Sequence, residues 1–515
     1  MPRINTIVCF LFPVLQASAQ APLIDWERTY GGTSSEFARS IQRTADGGCV
    51  MAGVTSSNDG DVTGQHGEYD AWVVKVDAVG TIEWQTTLGG SDYDGANAVL
   101  QAADGGFVFA GYAASTDGDV LGVHGGDDGW VVKLNAAGEL QWQLALGGSG
   151  DELFNAIVAS DDGGYLIAGT TDSNDGDVAG AHGLTDIWVA GIDADGALSW
   201  QRTLGGTGHD QGNAIALLPD GYLVAGLTDS NDGDVSGNHG IYDAWLVKVE
   251  AAGGVAWQTA AGGSSSESFR DIRATADGGS IAVGHAISED GDVVGNHGGS
   301  DGWVVKVNAA GEVEWQQALG GSGTEELEQV CILEDGYAVA GTTWSADGDV
   351  SGQHGAYDAW VVRLDEMGAL EWQRALGGNV GDQSEALIAL GDEGYLVCGS
   401  TGSNNGDVAM NHGVNDAWLV KLAADPSTGI ASMSWPPVTV APNPSSGEVM
   451  ITAEDGRPLE RISVYQPDGR KVAERMNTAR ATVMRQDLSS LPCGSYLLRA
   501  WGPDRIRTIP LLLVR

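Results

Sequence analysis

The sequence predicts an all-β protein: a seven-bladed β-propeller with four antiparallel strands per blade, closed by the N-terminal strand and followed by a small C-terminal β-sandwich. Three observations predict it. Two tryptophan series recur every 57 or 58 residues, each repeat divides into four short strand-like stretches, and the composition changes near residue 425.

The first 19 residues read as a signal peptide. Arg3 supplies the positive start, Ile7 to Leu15 an apolar stretch, and Ala17-Ser18-Ala19 a small-residue cleavage site before Gln20. The apolar run is far shorter than the roughly 20 residues a spanning helix needs, and no later segment is long enough, so no integral membrane segment is expected. Removal of the signal takes Cys9 with it. Cys49, Cys331, Cys398 and Cys493 remain, without a disulfide framework or zinc-ligand spacing, and read as small buried hydrophobes.

Residues 20–424 carry the repeats. Trp72, Trp130, Trp188, Trp245, Trp303, Trp360 and Trp418 form one series. Trp26, Trp84, Trp142, Trp200, Trp257, Trp315 and Trp372 form the other, each followed by a Gly-Gly pair such as Gly89-Gly90. In the unit after Trp84, strands are expected at Ala96–Gln101, Gly106–Ala113, Gly129–Leu134 and Glu139–Leu146, split by glycine-containing turns short enough for hairpins. No stretch has helical periodicity. Four strands in each of seven repeats is the arithmetic of a propeller, in which each unit buries its faces only against its neighbours. The chain begins with a spare strand, about Leu23 to Tyr30, and its last repeat ends at Leu422 one strand short. Pairing the two closes the ring and removes a free edge.

Charge narrows the function. The formal net charge is −45, and residues 21–430 hold 13 Lys or Arg against 62 Asp or Glu. So acidic a body repels nucleic acid and anionic membranes and favours cations, basic partners or neutral glycans.

In a meander the long loop between the second and third strands shares a face with the Gly-Gly connection between blades. The loop reads N-D-G-D-V-x-G-x-H-G-x-x-D-x-W, as in Asn58 to Trp72, and the connection carries an acid ten residues after its Trp: Glu36, Asp94, Glu152, Asp210, Glu267, Glu325 or Asp382. Crowded carboxylates repel unless something offsets them. One possibility is a calcium ion on the loop oxygens, which would draw on Asp59, Asp61 and Asp70; Asp117, Asp119 and Asp128; Asp175, Asp177 and Asp186; Asp232, Asp234 and Asp243; Asp290, Asp292 and Asp301; and Asp347, Asp349 and Asp358. In the last unit Asn405 replaces the first Asp. The other possibility is a structural network in which Asp caps loop amides, His66 and its counterparts bond an Asp or backbone, and Trp seals the blade. One histidine per unit, with no second nitrogen or sulfur ligand, speaks against zinc. No G-x-S-x-G elbow is present, and no blade carries a distinct acid, base and nucleophile.

Residues that break the repeat are the better candidates for specificity. Thirteen residues after each Trp of the series that begins at Trp26 stand Arg39, Asn97, Asn155, Asn213, Arg270, Glu328 and Glu385. With the first strand innermost, these surround the channel mouth and are candidate ligand-binding residues. Trp344 occupies a loop position that holds Ala, Asp or Ser in the first four units, and either stacks on a sugar or fills a gap.

The composition turns at a Pro-, Gly- and Ser-containing linker, residues 425–440, and residues 441–515 carry short alternating strands. The motifs Pro442-Asn443-Pro444, Ile462 to Arg470 and Leu488 to Tyr496, with a basic tail, resemble the type A sorting domain of the Bacteroidetes type IX secretion system. Cys493 stands where that family usually has Ala. The repeats, with cores such as Asp162 to Gly169, are similar to propeller-forming repeats of secreted Bacteroidetes-type proteins. Together the resemblances imply export through the periplasm to the cell surface or medium, with the type IX machinery as a partner of residues 441–515. The chain is then expected to be a monomeric binding or adhesion protein for an unidentified glycan or protein ligand, or alternatively a glycan hydrolase or lyase with its site at the channel mouth.

Overall fold

The computed structural model describes residues 20–425 and, beyond them, 438–441, 448–453, 459, 461–465, 471–476, 482–492, 494–502 and 505–513. The expected signal segment 1–19, most of the linker, Pro442 to Pro444, Asp468 to Arg470 and Cys493 lie outside the described residues. The chain divides into two compact units, one ending at Asp425 and one beginning at Pro426.

The first unit is a ring of seven four-stranded blades. In blade 1, β2 (Glu36–Arg43) is innermost, followed by β3 (Cys49–Thr55), β4 (Asp70–Val76) and the outer β5 (Ile82–Leu88). In the second blade the strands run Asp94–Gln101, Phe107–Ala113, Asp128–Leu134 and Leu140–Leu146, within two residues of the expected limits. The inner strand starts earlier than expected because the acid of the connection is already its first residue.

Burial follows from position in the ring. Strands β3 and β4 are buried along their whole length, since one face meets blade 7 through Cys49, Met51, Trp72 and Val74 and the other meets blade 2 through Val50, Ala52 and Val73. Two covered faces select continuous apolar runs rather than alternation. The inner strand alternates, because one of its faces lines the channel. The outer strand ties to the blade through the buried tryptophans: Trp72 Nε1 donates to Gln85 Oε1 at 2.8 Å, and Trp130, Trp188, Trp245, Trp303 and Trp360 repeat the bond.

Blade 7 shows how the ring closes. Its outer strand is β1 (Ile24–Tyr30), antiparallel to Asp416–Leu422 with Thr29 opposite Trp418. Glu27 takes the place of the repeat's Gln, and Trp418 Nε1 donates to its Oε2 at 3.0 Å. The closing strand therefore substitutes for the missing one in register and in side-chain chemistry.

In the second unit, a three-stranded sheet (Val438–Ala441, Glu448–Ala453, Val483–Asp487) and a four-stranded sheet ordered Lys471–Met476, Arg461–Tyr465, Gly494–Gly502, Arg505–Leu513 share a core that includes Val449, Ile451, Ile462, Val464, Met484 and Leu498. Among the described residues of both units no helix is long and apolar enough to cross a membrane.

Candidate functional site

Each blade junction on the loop face is built from carboxylates of two blades. Asp59 Oδ1 accepts from the Thr33 amide at 2.7 Å, and Asp61 Oδ2 lies 3.3 Å from the Gly31 amide, so both serve the junction between blades 7 and 1. Asp70 belongs to the next junction. Its Oδ2 accepts from the amide of His66 at 2.8 Å and pairs with His66 Nδ1 at 2.9 Å. Across the seam, Asp94 accepts from the amides of Gly90 and Ser115 and from the Ser115 hydroxyl. Gly89 lies between these acids: a Cβ there would stand 2.8 Å from Asp70 Oδ1 and 2.9 Å from Asp94 Oδ2. The three loop acids of one repeat are thus divided between two seams, and among the described residues no three His, Cys, Asp or Glu side chains are grouped to hold a metal ion.

The corresponding aspartates of the other loops repeat this arrangement. Asp117, Asp175, Asp232, Asp290 and Asp347 accept from the amides of Ser91, Ser149, Thr207, Ser264 and Ser322. Asp119, Asp177, Asp234, Asp292 and Asp349 place their own amides on the first Gly carbonyl of the connection. Asp128, Asp186, Asp243, Asp301 and Asp358 hold His124, His182, His239, His297 and His354. In the last blade Asn405 Oδ1 accepts the Asn379 amide at 3.0 Å, so the amide oxygen replaces the Asp in this role. Oδ1 of Asp70, Asp186, Asp243, Asp301, Asp358 and Asp416 is buried without a hydrogen-bond partner. Burial raises the pKa of Asp70, Asp94, Asp210, Asp301 and Asp358, and of Asp186 to about 6.

The seven repeat-breaking residues share a backbone feature that periodicity conceals. Every inner strand carries a β-bulge, and the bulged residue is in turn Arg39, Asn97, Asn155, Asn213, Arg270, Glu328 and Glu385. A bulge leaves one residue outside the ladder and re-aims its side chain. The neighbouring strand supplies a glycine where the bulged strand presses in: a Cβ on Gly53 would lie 1.8 Å from the Phe37 carbonyl oxygen, and one on Gly169 1.7 Å from that of Leu153. The last glycine of the repeat core is the counterpart of the bulge.

These residues stand partway down the channel wall, three residues below the acid that begins each inner strand, rather than at the mouth. With Ser40, Gln101, Asp271, Arg273, Gln329 and Cys331, among others, they line a cavity of about 590 Å³ that extends toward the hairpin-turn side. Arg39 donates to Asn97 Oδ1 at 2.6 Å. Asn97, Asn155 and Asn213 each donate to the carbonyl just ahead of the next bulge, on Phe154, Gly212 and Phe269, at 2.8 to 2.9 Å. This run of donors links blades 1 to 5 and stops at Arg270, whose Nε makes no hydrogen bond, and the two glutamates beyond it carry no N–H. Arg270 Nε lies 3.9 Å from Glu328 Oε2, and Glu385 Oε1 accepts from Gln383 at 2.8 Å. Burial, then the charge of Glu385, pushes Glu328 up to about 8, and burial also raises Glu385 against the pull of Arg39 and Arg270.

Sequence reasoning missed Asp271, Arg273 and Gln329. Their signal was present only as alternation along the inner strand, and the extra bulge residue puts that alternation out of phase. Trp344 is 40% exposed on the loop face, its ring 5.0 Å from that of Tyr357. Cys49 and Cys398 are buried, as expected, and Cys331 is half-buried against the channel.

Fold and site define an all-β propeller whose repeats build a frame around one irregular ring. Residues 439–505 match the family described as the secretion system C-terminal sorting domain. The chain thus carries a type IX sorting domain, which directs it to the cell surface or into the medium and engages the secretion machinery. It is 22% identical over 434 residues to the regulatory protein FlaEY of Caulobacter vibrioides, covering 74% of this chain and 44% of that protein. Among solved structures it is similar to the extracellular domain of a hybrid two-component system of B. thetaiotaomicron (10% identity, TM-score 0.40, 96% of this chain and 60% of that one). It is also similar to an apocarotenoid oxygenase variant of Synechocystis (14% identity, TM-score 0.38, 79% and 95%). Likenesses at this level say nothing of activity.

Proposed function

We propose that the chain is an exported binding protein, held at the cell surface or released, that takes a ligand into its central channel. One observation carries this reading. The repeat is strict where blades meet and departs from itself at the seven bulge positions that face the cavity. A cavity of this volume falls within the range of about 300–1,000 Å³ usual for small-molecule sites. The test is a thermal-shift screen of the secreted protein against sugars, amino acids, short peptides and nucleosides, repeated with Glu385→Gln. A ligand whose stabilisation is lost in the variant supports the reading; ligands indifferent to the variant refute it.

A second reading, a glycan hydrolase or lyase, is favoured by the two neighbouring carboxyls in the cavity. Glu328, with its raised pKa, can keep a proton near neutral pH, as the acid of an acid–base pair must. Incubation with polysaccharides, followed by assays for reducing ends and unsaturated products, separates the two. Turnover abolished by Glu328→Gln or Glu385→Gln makes the chain an enzyme.

A further inference from the structure

We infer that the ligand of the channel is an uncharged saccharide, held in the sector of blades 5 to 7, an inference that rests on the channel-binding reading above. Three independent features converge on that sector. The first is the gap in the inter-blade donors. Blades 1 to 5 are linked by Arg39 and three asparagines, whereas Glu328 and Glu385 present acceptor oxygens to the cavity with no side-chain N–H of their own. A ligand that completes this arc must donate hydrogen bonds to carboxyl oxygens, and accepts one where Glu328 keeps its proton.

The second feature is the opposite need beside it. Arg270 Nε is a buried polar atom without a hydrogen-bond partner, on the cavity wall beside Glu328. A buried donor left without an acceptor is costly, and a ligand oxygen removes that cost. Hydroxyl groups do both tasks, donating to one neighbour and accepting from the other. Two charge arguments point away from an ionic ligand. Arg39 and Arg270 flank the glutamate pair and offset its charge, which weakens its hold on a cation, and the surrounding body is strongly acidic, which repels an anion.

The third feature lies above the same sector. The amide of Trp344 donates to the Thr324 carbonyl, which places this half-exposed indole at the loop-face end of the inner strand that carries Glu328. Trp344 and Tyr357 form an aromatic shelf extending toward blade 7, where Gly381 leaves room for the Tyr357 ring. Blades 1 to 4 have Ser56, Ala114, Asp172 and Asp229 in the position of Trp344. From Glu325, at the end of that strand, Glu328 is three residue steps away, about 10 Å at the rise of a β-strand. A short oligosaccharide reaches from shelf to carboxylates, its C–H face on the indole and its hydroxyls on Glu328, Glu385 and Arg270.

The experiment is isothermal titration of the full secreted chain with cellobiose, maltotriose, mannotriose and diacetylchitobiose, with digalacturonate as the anionic arm and glycyl-glycine as the zwitterionic arm. Saturable binding of a neutral saccharide is expected, weakened tenfold or more by Trp344→Ala and by the isosteric Glu385→Gln. Tyr93→Ala, which removes an exposed aromatic from blade 2, leaves it unchanged. Melting curves of each variant show whether the fold is intact, and Glu385→Asp offers a second, milder probe. If only digalacturonate or glycyl-glycine binds in a Glu385-dependent manner, the saccharide is wrong and the channel reading stands. Neutral-saccharide binding that survives Trp344→Ala and Glu385→Gln overturns the inference, and if no ligand of any class responds to the ring variants, both readings fall.

Discussion

The blade junctions and the channel ring are both polar and both contributed by all seven blades, yet they are built on opposite logic. At the junctions the same residues recur because the same backbone problem recurs. Each Gly-Gly connection must cross from an outer strand to the next inner strand, and its amides need acceptors where side chains do not fit. Asp59, Glu36 and their counterparts supply them, and Gly31 or Gly89 leaves space for the acids. At the ring the recurring feature is the bulge, not the side chain. A bulged residue is free of ladder geometry, so its chemistry varies from arginine to asparagine to glutamate without disturbing the blade. Repetition in this molecule marks what holds the frame, and variation marks what meets a ligand.

The difference can be broken most severely at the seam between blades 7 and 1. Deleting residues 21–32 removes β1, uncovers the edge of Asp416–Leu422 and loses the buried Tyr30. Melting temperature is expected to fall by roughly 10 °C or more, as several kcal/mol of burial and strand pairing go. Removing residues 426–515 is expected to leave it nearly unchanged. Equal effects from the two deletions, measured by calorimetry, would refute closure by that strand.

Single substitutions sharpen the contrast. Gly89→Ala drives a methyl against two buried carboxylates and is expected to cost roughly 3 kcal/mol in denaturant unfolding. Asn155→Ala removes one channel hydrogen bond, for about 1 kcal/mol. A ring substitution as damaging as the junction substitution would show that the ring, too, is part of the frame.

Acidity gives a subtler test. Glu328 has a folded-state pKa above its unfolded value, so the native state holds more protons and stability declines as pH rises from the ordinary carboxylate range through about 8. The buried acids at the junctions, with raised pKa values, act in the same direction. So do His124 and His297, whose aspartate bonds raise their pKa and favour the protonated form lost with rising pH. His285 opposes them, since burial lowers it to about 4. Melting temperature is therefore expected to be higher at pH 5.5 than at pH 8. Glu328→Gln should narrow that interval, and an unchanged interval would mean that Glu328 titrates normally.

The smallest expected effect concerns calcium. Since Asp59, Asp61 and Asp70 are divided between two seams and already serve amides or a histidine, millimolar calcium should shift melting no more than sodium chloride of equal ionic strength. Saturable calcium uptake in calorimetry, weakened by Asp70→Asn, would put a cation at the seam.

The sequence by itself determined the number of blades, the strands within each, the manner of closure and the sorting domain. A period of 57 or 58 residues, paired tryptophans and a spare first strand are local signals, and the register of Trp26 and Glu27 against Trp418 follows from them. It also singled out the seven ring residues, since they are the polar positions that fail to repeat. Only the tertiary structure decided what those positions are. A bulge is a property of pairing between two strands, invisible in either alone, and the strand's start at the connection's acid set Arg39 and its six counterparts partway down the channel rather than at its mouth. The loop acids were regrouped for the same reason. Asp59 and Asp70 are eleven residues apart in one loop, but the loop spans its blade and leaves one acid on each seam, so Asp59 holds the connection from the preceding blade while Asp70, paired with His66 of its own loop, lies beside the connection to the next.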